Sequence, residues 1–211
     1  KLKLQILEMS ADVEEAVREA VQSIEERDPD KARKVLENER VTNARDVDVE
    51  EECLKILALH QPVAADLRYL VSVLKINTDL ERIGDLAVHI AEGSLALSEL
   101  SPVDIPTQLG EMAAKSQFML KKVLDAFVNL DVVAAREVRL ADSELDALNR
   151  AMSSRLRAEI GRSPALVEPL IKLMRIASRL ERIGDHATNI AEDLIYLIEG
   201  KIVRHTSVTQ S

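Results

Sequence analysis

A six-residue string, Leu80-Glu81-Arg82-Ile83-Gly84-Asp85, recurs unchanged 100 residues later as Leu180 to Asp185. Around it Ile76, Ala87, Ile90, Ala91 and Glu92 also return, at Ile176, Ala187, Ile190, Ala191 and Glu192. The offset is close to half of the 211 residues, so it predicts two copies of one supersecondary unit. Apolar residues recur at helical spacing along almost the whole chain, as in Val13, Val17, Val21 and Ile24, and strand-like alternation is missing. Breaks fall at Asp28-Pro29-Asp30, Gln61-Pro62, Ser101 to Thr107, Asn129-Leu130-Asp131 and Gly161 to Pro164. At such places Pro suits a first helical turn, and Ser, Thr or Asp caps the free donors. Six helices are expected, over roughly 4–28, 30–59, 62–99, 107–129, 131–161 and 164–200. Short turns make neighbours antiparallel. The predicted fold is all-α, two tandem and similar three-helix bundles over 1–103 and 104–211, joined by the Pro-containing stretch from Ser101 to Pro106.

Composition narrows the function. With 46% hydrophobic residues a core can form, so wholesale disorder is excluded. Thirty-seven Asp and Glu against 28 Lys and Arg, no Trp and only 2% aromatic residues argue against nucleic acid as the partner. The longest uncharged run, Ile56 to Ala65, holds Pro62 and is too short to span a bilayer. The single cysteine, Cys53, cannot form an intramolecular disulfide and reads as a core residue of a chain from a reducing compartment. The chain begins at Lys1 without a Met, which leaves room for a removed N-terminal segment. No G-x-x-x-x-G-K-[ST], G-x-G-x-x-G or G-x-S-x-G occurs, and none of the four His stands three residues after a Glu, so nucleotide cradles, hydrolase elbows and ferritin-like di-iron pairs lack their signals.

The repeated string carries its own chemistry. On a helical wheel Ile76, Leu80, Ile83, Ala87 and Ile90 share one face, while Glu81, Asp85 and Glu92 share another; Glu181, Asp185 and Glu192 do the same in the second copy. Like charges on adjacent turns repel unless a cation or basic side chain lies among them. Glu-x-x-x-Asp sets two oxygen donors one turn apart, a pattern suited to Mg²⁺, Mn²⁺ or iron. Further ligands would come from the preceding helix, where Asn43, Asp46 and Glu50, or Asp142, Asp146 and Asn149, stand on one edge. Asp46 and Asp146 are again 100 apart, whereas Asn43 and Asp142 are 99 apart, which predicts sites that differ in ligand set. The alternative is a solvated acidic face, with Arg82 and Arg182 neutralising Asp85 and Asp185 locally. Gly84 and Gly184, costly inside helices, predict a close approach by another helix or by a ligand. His89 and His186 read as surface residues, since neither recurs at its matching position.

The doubled Glu-Arg-Ile-Gly-Asp, each closing a three-helix unit, together with Gln61-Pro62-Val63-Ala64-Ala65-Asp66-Leu67-Arg68, closely resembles the PhoU family over essentially the whole chain. The resemblance implies a cytoplasmic, non-enzymatic negative regulator of phosphate uptake and of the phosphate regulon. Its implied partners are the ATPase of the phosphate ABC transporter and the phosphate sensor histidine kinase, and self-association as a homodimer is expected. It also implies surface metal ions, whether iron, manganese, magnesium or zinc, held by Glu81, Asp85, Asn43 and Asp46 on one bundle and by Glu181, Asp185, Asp142 and Asp146 on the other. The second half lacks a counterpart of Asp66-Leu67-Arg68, so partner contact through that segment would belong to the first bundle alone. Two readings from other classes stand beside this one: a helical scaffold with solvated acidic faces, and a hydrolase that activates water on its metals.

Overall fold

The computed structural model describes residues 1–203, and the last eight residues of the 104–211 half lie outside the described part. The chain forms α1 (Leu2–Glu25), α2 (Pro29–His60), α3 (Ala64–Ser98), α4 (Thr107–Asn129), α5 (Val132–Arg162) and α6 (Val167–Glu199), with one 3-10 turn at Pro164–Leu166. No strand occurs among the described residues, so the all-α, two-bundle fold stands. Two turns are capped as the sequence dictates. Asp28 accepts from the Asp30 amide at 2.9 Å, and Asp131 Oδ1 accepts from the amides of Val133 and Ala134 at 2.9 and 3.1 Å. The α2–α3 turn differs from expectation: Gln61 is left-handed (φ 45°), Val63 is extended and Ala64 is left-handed (φ 49°), so α3 starts two residues after Pro62. Pro62 therefore sits in the link and contributes nothing to the first turn.

Helices α1–α3 form one bundle and α4–α6 the other, with α3 and α6 packed against each other at the joint. Each of these two helices buries its repeated apolar face inside its own bundle: Leu80, Ile83, Ala87 and Ile90, and their counterparts Leu180, Ile183, Ala187 and Ile190, are all essentially inaccessible. The core runs continuously through both halves. Along the joint α3 and α6 are antiparallel, and the seam mixes apolar and polar contacts. Gly93 lies against Ile176, Lys75 reaches Asp193, and Asp79 meets both His186 and Asn189.

The repeat has two registers. Helices α3 and α6 correspond at an offset of 100, but the outer helices correspond at 103. The left-handed residues that end α1 and α4 are Arg27 and Leu130, the caps that follow are Asp28 and Asp131, and buried Ala32, Val35 and Cys53 match buried Ala135, Val138 and Leu156. Gly84 and Gly184 report the same offset, because a methyl on the first would press on Thr42 and on the second would overlap Leu145. Three residues present between α2 and α3 have no counterpart between α5 and α6, and the 3-10 turn at Pro164 absorbs the loss.

Candidate functional site

The offset of 103 corrects the correspondence between the two acidic edges. The structural equivalent of Asn43 is Asp146, that of Asp46 is Asn149, and that of Asp142 is Glu39. Pairing Asp46 with Asp146 by equal spacing therefore set side by side two positions almost a turn apart on the helix.

In the first bundle α2 and α3 bring Asp46, Glu81 and Asp85 near one another. Asn77, 2% exposed, donates its Nδ2 to the Asp46 carboxylate at 2.6 Å and to the Asp46 carbonyl at 3.0 Å, leaving its own Oδ1 buried without a partner. Burial, then the charges of Glu50 and Asp85, raises the Asp46 carboxyl above its ordinary range. Glu81 is raised as well, by burial and then by Asp85, with Arg82 opposing. Arg82 lies 3.6 Å from Glu81 and pairs with that carboxylate instead of the expected Asp85. Arg45, the nearest basic residue on α2, is drawn to Glu8 and Asp12 on α1. Asp85 also faces a second depression, lined by Glu39, Asn43, Thr42 and Gly84. The four expected residues thus share the α2–α3 face in two adjoining hollows.

In the second bundle the cluster is more acidic. Asp142, Asp146, Glu181 and Asp185 gather between α5 and α6, and burial followed by the charges of Asp185 and Asp146 pushes the Asp142 carboxyl up to about 6. Glu181 and Asp185 are raised too, mainly by burial and next by Asp146 and by Glu181 respectively. Compensation is partial: Arg150 stands 3.6 Å from Asp146 with its side chain 71% exposed. Glu192 leaves the stripe, because Arg139 from α5 holds it at 3.2 Å with both side chains nearly buried. Asn149 sits beside Glu181 with a buried, unpartnered Oδ1.

His186 departs from its expected surface role. Its Nδ1 lies 2.8 Å from Asp79 at the joint, whereas His89 is exposed. Two contributors escaped the sequence reading. Asn77 stands one turn before Glu81, and Glu39 one turn before Asn43, so extending each i, i+4 stripe by one step would have found both.

The carboxylate and amide oxygens of Asp46, Glu81, Asp85 and Asn77, and of Asp142, Asp146, Glu181, Asp185 and Asn149, are hard donors suited to a hard cation, while Lys34 also lines the depression beside Asp85. The unpartnered amide oxygens of Asn77 and Asn149 and the raised carboxyls fit a missing positive charge. As the side chains stand, no three His, Cys, Asp or Glu groups among the described residues converge on one point. No helix of the described residues is long and apolar enough to cross a membrane.

Comparison with known proteins gives one consistent result. The PhoU domain matches residues 6–93 and 109–194, and the two matches begin 103 residues apart, as the structural register requires. A Burkholderia protein named phosphate-specific transport system accessory protein PhoU homolog is 34% identical over 98% of this chain and 89% of its own length. A Pseudomonas aeruginosa protein of the same name is 35% identical over 97% of this chain and 85% of its own. The crystal structure of PhoU from Pseudomonas aeruginosa superposes with a TM-score of 0.92 at 34% identity, covering 95% of this chain and 96% of that one. That of the phosphate transport system regulatory protein PhoU from Streptococcus pneumoniae gives 0.87 at 27% identity, covering 96% and 95%. Twice-matched domain, full-length relatives and superposable structures agree that this chain belongs to the PhoU family.

Proposed function

We propose that this protein is a cytoplasmic, non-enzymatic accessory regulator of phosphate transport that holds uptake and the phosphate regulon down by contact with the transporter's ATPase and the phosphate sensor kinase, working as a homodimer of chains with bundles 1–103 and 104–211. The relatives' shared role as phosphate-transport accessory proteins, over nearly the full length of this chain, supports the assignment. The observation that carries the mechanism is the pair of under-compensated acidic hollows on the α2–α3 and α5–α6 faces. Glu81, Asp85, Asn43 and Asp46 would hold cations on the first bundle, joined by Asn77, and Glu181, Asp185, Asp142 and Asp146 on the second. A bound iron, manganese, magnesium or zinc ion would supply the positive charge these residues lack. The carboxylates on both facing helices would then be tied together, and the outward face would change from acidic to nearly neutral, altering which partner surface it fits.

The test is cation titration of purified protein beside an Asp85→Asn, Asp185→Asn double variant, followed by both proteins in a bacterial strain lacking its own such regulator. Stoichiometric binding in the wild type, lost in the variant, supports the metal sites; no binding in the wild type removes them. Failure of the wild type to restore repression in high phosphate would remove the regulatory assignment itself.

A further inference from the structure

Five large apolar side chains are exposed along α4, α5 and the turn between them: Phe118 (50%), Val128 (44%), Leu130 (55%), Val133 (63%) and Leu140 (44%). The duplication provides an internal control. At the offset of 103 the same five places on α1 and α2 hold Glu15, Glu25, Arg27, Asp30 and Glu37. The fold therefore accepts charge at every one of these positions. The reverse holds for exposed Val41, Val47 and Leu54 of α2, whose matching places hold Glu144, Arg150 and Arg157, so it is the charge pattern around Phe118 and Leu140, beside their exposure, that distinguishes the α4–α5 face.

The surroundings have their own pattern. Lys115 pairs with Glu144 and Lys122 with Glu137, so two ion pairs bridge α4 and α5, each with its cation on α4 and its anion on α5. Phe118 lies between them, with the Lys115 and Lys122 ammonium groups 5.9 and 5.2 Å from its ring centre. The antiparallel register set by the two pairs puts Leu140 across from Phe118. Charge along the helices differs as well: α1 and α2 carry 14 acidic and 8 basic residues, α4 and α5 carry 7 and 9. In a chain of net charge −9, the outer pair α4–α5 is a place where a second such chain can approach without mutual repulsion.

We propose that the outer α4–α5 face is the surface on which a second copy of this chain docks, Phe118 of each copy lying over Leu140 of the other. The proposal rests on the homodimer reading above and names its interface. The charge pattern selects the geometry. A two-fold axis running along the helices, between α4 and α5, lays α4 of one copy over α5 of the other. Lys115 then meets Glu144 of the second copy and Lys122 meets its Glu137. A two-fold axis across the helices would instead stack lysine on lysine and glutamate on glutamate. An interface of this kind is isologous and closes after two chains. Its extent is sufficient: 23 residues of α4 at ~1.5 Å each, across two helices of ~10 Å, give a face of about 700 Å² per copy, near the roughly 800 Å² per partner of a stable complex. An aromatic and a leucine at the centre, fenced by ion pairs, is the layout in which a few buried residues carry most of the affinity.

The experiment is sedimentation velocity on the full chain across a concentration series, beside a Phe118→Glu, Leu140→Glu double variant that copies the residues found at the matching places of the first bundle. Circular dichroism and thermal unfolding establish that the variant folds. A dimeric wild type and a folded variant that is monomeric at the same concentration, a loss of about a hundredfold or more in dimer affinity, support the interface. A folded variant that stays dimeric overturns the interface and leaves the homodimer reading standing; a wild type that stays monomeric throughout overturns both. Orientation is read from oxidative cross-linking of a mixture of singly substituted Lys115→Cys and Glu144→Cys chains. Crosslinks between the two kinds of chain support the axis along the helices, and crosslinks confined to like chains overturn it.

Discussion

Lys75 on α3 crosses the joint between the bundles to reach Asp193 on α6 at 3.0 Å, where the carboxylate is 2% exposed. The ammonium also stands 5.7 Å from the centre of the Tyr196 ring. In the duplicated register Lys75 and Asp193 correspond to Arg175 and Gly93, so the ion pair exists on one side of the joint only. Removing the cation would take an ion-pair partner from a buried carboxylate. Lys75→Met is expected to lower unfolding stability by about 1 to 3 kcal/mol, short of the fully buried limit because the lysine is partly solvated. Urea titration followed by circular dichroism measures it, and an unchanged midpoint would show that the pair contributes nothing.

The Asp142 carboxyl gives stability a pH dependence of a particular sign. In the folded chain it titrates at about 6, and in the unfolded chain at about 3.9. Between those values the folded state binds more protons, so stability falls as pH rises through the window, and the loss persists at neutral pH. Asp142→Asn should therefore stabilise metal-free protein at pH 7.5 by about 1 kcal/mol, a figure discounted for partial solvation. Near pH 4 the same substitution should have almost no effect. Denaturant midpoints at the two pH values check the difference; equal effects at both would contradict the strained-carboxylate account.

The two repeated glycines are expected to respond unequally to a methyl group. At Gly84 the new atom would sit 3.3 Å from Thr42 Cγ2 and 3.9 Å from Val13, a contact a small shift relieves. At Gly184 it would overlap Leu145, which is 1% exposed, and touch Met119 at 3.4 Å. A helical Gly→Ala change gains up to ~1 kcal/mol, while overpacking a core costs roughly 1 to 3. Gly84→Ala should come out near neutral and Gly184→Ala should lose about 1 to 2 kcal/mol. Thermal unfolding of the two variants, one beside the other, decides it.

Cys53 is fully buried, and burial, then Glu52 and Glu50, pushes its thiol up to about 11. Little thiolate forms near neutral pH, and reagent cannot reach it without an opening of α2. Labelling by a thiol reagent at pH 8 is expected to be at least about a hundredfold slower in native protein than in denaturant. Rapid native labelling would show that the lower part of α2 opens readily.

Much of this architecture was legible because the signals were local. Asp28 and Asp131 cap helices, Pro29 starts one, and Leu80 to Asp85 repeats with its apolar face intact. The register of the outer helices was not, because it depends on which residues are buried against α3 and α6; equal spacing pointed to Asp46 and Asp146, and packing points to Asp46 and Asn149. Glu39 and Asn77 were overlooked because neither lies inside the repeated string, although each continues an i, i+4 stripe by one step; the fold sets them beside Asp85 and Asp46. His186 looked solitary because its partner, Asp79, is 107 positions away and joins it solely through the antiparallel meeting of α3 and α6.

The near-identical inner strips of α3 and α6 act as a common socket into which two different helical hairpins plug. Because the socket residues are the same and face inward, each hairpin keeps its grip on the core while its outer face is free to drift. One has become an acidic surface and the other a nearly neutral one with an apolar crest at Phe118 and Leu140. The duplicated architecture thus separates holding from presenting: the inner strips keep the core, and the two outer faces differ in charge and apolar exposure without disturbing it.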